Sequence, residues 1–165
     1  MRTIASRSIA VLALVLQFSC VASAQNWKSK VVNDPISQTS STMFFIDGSG
    51  YNEDIPAVQM GVSCENGKHG NAGITMQEFV FARNGILPAF TLVDWRIGGT
   101  QAQANLPLSS DSKIAFVLIK DFDKMVLSDS AYIRFSDGLG SPHTILFHGL
   151  LPDETMASMC GLHKQ

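Results

Sequence analysis

The chain has no run of basic residues, and its 12 Lys and Arg are outnumbered by 14 Asp and Glu, for a formal net charge of −2. Such a balance does not gather phosphates, so nucleic acid is not an expected partner. Beyond residue 24 no unbroken apolar stretch approaches the roughly 20 residues of a membrane helix. A Gly-x-Ser-x-Gly elbow, a Gly-rich phosphate loop and a Cys-x-x-Cys pair are all missing. Their absence removes the usual signatures of a serine hydrolase, a nucleotide site and a zinc site. No Asn-x-Ser/Thr acceptor follows residue 24, and neither an internal repeat nor a low-complexity tract is visible.

What is present begins with a leader. Arg2 and Arg7 precede an apolar run from Ile9 to Phe18, and Ala22-Ser23-Ala24 supplies small residues before Gln25. A positive front, a short apolar middle and a small-residue exit predict a cleaved secretory signal over residues 1–24. An uncleaved anchor is the alternative. A lipoprotein signal does not fit, because Gln17 stands three residues before Cys20 where an aliphatic side chain is required. Cleavage after Ala24 leaves residues 25–165, enough for one domain with a real core. It also removes Arg2 and Arg7, making the domain more acidic by two charges.

Cleavage leaves two of the three cysteines, Cys64 and Cys160. In an oxidising compartment such a pair is expected to form a disulfide. It would close a loop of roughly 100 residues, to which a chain-entropy account assigns ~4.7 kcal/mol. Two buried thiols are the alternative, and the spacing does not suit a metal.

Hydrophobic alternation predicts a mainly β chain. Lys28 to Val32 reads as a short edge strand and Asp34-Pro35 as a turn. Met43 to Ile46 reads as a strand stopped by Asp47-Gly48-Ser49-Gly50. Val58, Met60 and Val62 share one face of a strand ending at Cys64, and Glu65 to Gly73, rich in Gly and Asn, reads as a loop. Ile74 to Phe81 and Phe90 to Ile97 are further strands, the second with Thr91, Val93, Trp95 and Ile97 on one side. Asn105 to Ser112 reads as a polar connector, and Lys113 to Met125 as a strand running into a helical turn. Ser130 to Phe135 and His143 to His148 form a hairpin around Asp137-Gly138. Asp153 caps a short helix over Thr155 to Cys160 that Gly161 stops. Short strands with regular turn punctuation predict an antiparallel β-sandwich over residues 25–165, with a short C-terminal helix and one disulfide.

Residues capable of chemistry do not converge. His69, His143, His148 and His163 are scattered, and His143 and His148, five apart on one strand, point to opposite faces. Ser110-Asp111-Ser112-Lys113 has a Ser-x-x-Lys spacing, and Ser128-Asp129-Ser130 faintly echoes a second penicillin-enzyme box, yet no Lys-Thr-Gly accompanies them. Asp121 and Asp123 lack the following Gly and distal Glu of a calcium loop, and Glu53-Asp54 reads as a solvated turn. No catalytic residue, metal or cofactor is therefore expected. Asp94 and Arg96 occupy the strand face opposite Val93 and Trp95, and with Arg134 they are the expected partner-contact residues. Trp27 is either packed across one end of the sheet or a binding anchor.

The order of segments from Trp27 to Gly161 resembles the type VI secretion-associated VasI/TagO family of small exported bacterial proteins. The resemblance rests on Trp27, Asp34-Pro35, the Pro56-to-Cys64 strand and Val93-Asp94-Trp95-Arg96-Ile97. It continues through Ser109-Ser110-Asp111-Ser112-Lys113-Ile114-Ala115-Phe116, Ile133-Arg134-Phe135, Thr144 to Leu150 and Cys160-Gly161. Gly98-Gly99 stands where the family has an Asp, Leu106-Pro107-Leu108 replaces its Trp, and Asp34-Pro35 lacks its Met-Thr-Asp. The resemblance implies a periplasmic or secreted, non-enzymatic accessory protein that binds a component of a secretion apparatus, or a relative of such proteins reused elsewhere. An exported inhibitor or immunity protein, directed at a lysozyme or a toxin, is the second expectation. In both, the partner is a protein and neither nucleic acid nor a membrane span is involved.

Overall fold

The computed structural model describes residues 27–33, 39–51, 55, 57–84 and 89–162. The leader over 1–24, Asp34-Pro35, Glu53-Asp54 and His163 lie outside these residues. Among the described residues nine strands and two short helices follow one another along the chain. They are β1 (Lys28–Asn33), β2 (Ser40–Gly50), β3 (Val58–Glu65), β4 (Lys68–Met76), β5 (Phe90–Ile97), β6 (Thr100–Pro107), β7 (Ile114–Val117), α1 (Ile119–Val126), β8 (Ser130–Ser136), β9 (Pro142–His148) and α2 (Glu154–Cys160).

Every pairing is antiparallel, in the order β6-β5-β8-β9-β2-β3-β4-β7, with β1 added to β2. β2 belongs to both halves of the sheet. Its residues Thr42 to Gly48 pair with β3, while Ser49 and Gly50 pair with Leu146 and Ile145 of β9. The crossing point is Gly48, where an added Cβ would lie 2.4 Å from Ile145 Cγ2 and 2.7 Å from the Phe147 ring. A side chain has no room there, so the Asp47-Gly48-Ser49-Gly50 segment bends the strand instead of ending it. The far ends of the sheet also meet. Leu108, just past β6, bridges to Ala115 of β7, which rolls the sandwich nearly into a barrel.

Alternation along the strands sends one set of side chains into a single buried cluster. Phe44, Ile46, Met60, Val62, Ile74 and Met76 enter from one half, and Val93, Trp95, Ile133, Ile145 and Phe147 from the other. α1 covers this cluster with Phe122, Met125 and Val126. α2 is capped by Asp153, whose carboxylate accepts from the Met156 N–H at 2.7 Å, and ends at Gly161 in the left-handed region. The Cys64–Cys160 disulfide joins α2 to β3. Trp27 is 7 % exposed, donates its indole N–H to the Leu150 carbonyl at 3.1 Å and meets the Phe122 ring edge-on. It takes the packing role, and the binding-anchor reading of Trp27 is corrected accordingly.

The mainly antiparallel β architecture, the C-terminal helix and the disulfide match expectation; several boundaries do not. The Glu65 to Gly73 segment is not a loop. Asn66 and Gly67, with φ of 52° and 72°, make a two-residue hairpin turn, and Lys68 onward is already strand. β4 ends at Met76, so Gln77 to Phe81 leaves the ladder and returns only through a bridge from Phe81 to Asp137. Residues 100–107 form a full-length partner of β5, where sequence reading placed part of a connector. That strand is mostly exposed and carries Gln, Thr and Asn, so its periodicity was faint.

Candidate functional site

The outward face of the β5, β8 and β9 ladder builds the candidate site. Its inward residues Val93, Trp95, Ile133, Phe135, Ile145 and Phe147 anchor the strands in the core, so the alternate residues must face out. Register then sets the rows. Gln103, Asp94, Arg134 and Thr144 lie side by side across β6, β5, β8 and β9; Gln101, Arg96, Tyr132 and Leu146 make the next row. A groove of about 730 Å³ runs over these rows, lined also by Tyr51, the Gly98-Gly99 turn and Ser128 to Ser130.

The polar groups are oriented by specific partners. Asp94 accepts a hydrogen bond from the Gln103 amide at 2.7 Å. Arg134 donates through Nε to the Thr144 hydroxyl at 3.3 Å. Tyr51, half-exposed, is fixed by its backbone N–H to the Thr144 carbonyl at 2.8 Å and meets Tyr132 edge-on, with ring centres 5.5 Å apart. Among the described residues Arg96 makes no hydrogen bond or ion pair, so its planar fork of five donors faces solvent. No histidine or cysteine lines the groove. The arrangement supplies charge, hydrogen-bond donors and an aromatic edge, which is the chemistry of recognition.

Sequence reasoning placed Asp94, Arg96 and Arg134 as contact residues, and all three line this groove. Tyr51 and Tyr132 were missed. Tyr132 was legible, because alternation puts it on the Arg134 side of β8. Tyr51 carried no signal, since Gly50 before it read as a turn.

The other candidates lie apart. His69 pairs with Asp123 at 2.9 Å beside α1, and Asp121 lies 3.6 Å from Lys124 one turn away. His148 is exposed on β9. Ser110 sits in a turn organised by Asp111, which accepts from the Ser109 hydroxyl at 2.5 Å and the Lys113 N–H at 3.1 Å. Those bonds hold the Asp111 carboxyl below the usual range. Among the described residues no group of three or more His, Cys, Asp and Glu is placed to hold a metal ion, and no helix is long and apolar enough to cross a membrane.

The hairpin loop between β8 and β9 is a second built feature. Asp137 is almost wholly buried and accepts at Oδ1 from the N–H groups of Leu139 and Ser141, both at 2.9 Å. Its Oδ2 lies 3.1 Å from His143 Nε2, and His143 stacks on Phe79. The Gly138 N–H reaches the Val80 carbonyl at 2.8 Å. The His143 contact first, then the Ser141 N–H, hold the Asp137 carboxyl below the usual range. The tip so pinned presents Leu139, 91 % exposed.

Compared with protein-family models, curated proteins and solved structures, the chain matches none.

Proposed function

We propose that this chain is an exported, non-enzymatic binding or accessory protein that holds a protein partner against the β5–β8–β9 face. The reading is carried by one observation: Asp94, Arg96 and Arg134 line one groove together with an edge-packed tyrosine pair. The leader-like residues 1–24 and the buried disulfide support export, and a disulfide of this kind persists outside the reducing cytosol. The resemblance to VasI/TagO proteins supports an accessory role in type VI secretion. A photo-crosslinker placed at position 94 in producing cells tests the contact. One dominant protein adduct, absent from a crosslinker at the exposed Leu127, is expected; equal labelling at both positions would overturn the reading. Consistent absence of sheath and spike genes from the neighbourhood would remove the secretion role while leaving the binding role.

A second reading, an exported inhibitor of a lysozyme or toxin, is favoured by the Leu139 tip. A pre-ordered loop that presents one apolar side chain loses little freedom on docking into an enzyme cleft. Titrating the protein into lysozyme assays should then show saturable inhibition that Leu139→Asp abolishes. Full enzyme activity at micromolar protein across a panel of lysozymes would remove this reading for them.

A further inference from the structure

The charges in the groove are not arranged as a closed salt bridge. Asp94 and Arg134 are direct register partners on β5 and β8, yet no ion pair joins them. Gln103 draws the carboxylate toward β6, and Thr144 draws the guanidinium toward β9. Arg134 keeps its terminal nitrogens available, and Arg96 keeps all five donors. Arg96 faces Tyr132, so the two arginines are diagonal neighbours, a relation in which long side chains reach a common point. Two guanidinium forks at diagonal positions on neighbouring strands offer the paired N–H donors that engage a carboxylate.

The platform beside them has a definite spacing. Tyr132 and Arg134 are two residues apart on β8, a separation of about 6.7 Å along a strand. Same-side side chains of an extended peptide repeat at that same distance. A peptide lying along β8 would set one residue over Arg134, within diagonal reach of Arg96, and the next same-side residue over the Tyr51–Tyr132 pair. Asp94 and Asp129, which also line the groove, disfavour closely spaced phosphates, which argues against a nucleic acid or polyphosphate.

We propose that the groove takes an extended acidic segment of the protein partner, with a Glu or Asp carboxylate shared by Arg96 and Arg134 and an aromatic or apolar residue two positions away on Tyr51 and Tyr132. This deepens the reading that the face contacts a protein and rests on it. A carboxylated glycan offers a carboxylate and a flat face but lacks the strand repeat, so it serves as the competing outcome.

The test uses the full-length mature protein and three probes: an N-acetylated, C-amidated heptapeptide with Glu, Phe and Glu at alternate positions, the same peptide with Gln for Glu, and an oligogalacturonate. Binding is read from tyrosine ring shifts by NMR and from calorimetry at low salt. Saturable shifts with the Glu peptide are expected, with loss of binding to the Gln peptide. Arg96→Gln and Arg134→Gln should each weaken binding by about tenfold or more, the scale of a hydrogen bond to a charged group. Lys124→Gln, on α1 away from the groove, should leave it unchanged. No ring shift up to millimolar peptide, equal binding of the Gln peptide, or binding of the oligogalacturonate without the peptide would each overturn the proposal. A position-94 adduct with a protein, combined with peptide failure, sinks the acidic-segment proposal alone; absence of that adduct sinks the underlying reading.

Discussion

Single residues show how the fold uses its few polar groups inside. Asp137 accepts from two backbone N–H groups and faces His143, and this holds the tip around Leu139. Its folded pKa lies below its ordinary value. The folded state therefore favours the ionised form, and the resulting stability is present above about pH 4 and is lost as the pH falls through the lower folded value. Asp47, lowered by its bonds from Lys28 and Gln59, acts in the same direction. Asp137→Asn should consequently flatten the fall of the urea midpoint between about pH 5 and pH 2. It should also speed amide exchange at Leu139 and Ser141; an unchanged acid limb would show that the carboxylate is not a determinant. Trp27 makes a separate point. Trp27→Phe removes the indole donor and leaves the Leu150 carbonyl without that bond. A loss of about 1–2 kcal/mol in urea unfolding is expected, with position-94 crosslinking unaffected, because Trp27 packs and does not touch the groove.

Elements were legible where alternation was strong and obscure where glycine or polar residues stood for something other than a turn. β5, β8, β9 and α2 could be read directly, because their buried residues repeat every second position or follow a cap-and-stop pattern. β2 was cut short in the sequence reading because Gly48 and Gly50 resemble punctuation, whereas Gly48 gives Ile145 and Phe147 of the neighbouring strand room to approach. Gly48→Ala should therefore destabilise by about 1–3 kcal/mol through forced movement of those side chains, measured by chemical unfolding. A neutral result would mean that the corner yields freely. β6 was hidden for another reason: most of its residues are exposed on both faces, so little apolar alternation marks it. The disulfide fastens α2 to β3 across a sequence separation of 96 residues. Replacing both cysteines by serine should cost about 2–5 kcal/mol, seen as a lowered urea midpoint that equals the midpoint of reduced wild-type protein.

For the whole molecule, the site was partly visible in advance because a strand's two faces are separable from sequence alone, so Asp94, Arg96 and Arg134 could be placed outside. Their convergence was not visible, since which strands lie side by side depends on register across distant segments. The proposed export has a check of its own on the product. Protein recovered outside the cytoplasm should begin at Gln25 and weigh two hydrogens less than its thiol form by intact-mass measurement; a full-length or fully reduced product would contradict the export reading. The division of β2 between β3 and β9 carries a temporal consequence. Thr42 to Gly48 find their β3 neighbours within the next hairpin, but the bond from Ser49 to the Leu146 carbonyl spans 97 residues. A polypeptide that emerges amino end first holds an unfinished seam until nearly all of it has arrived. Maturation must then wait for the end of synthesis or translocation, and any factor shielding the nascent chain has to guard the open flank of β2 for that whole interval.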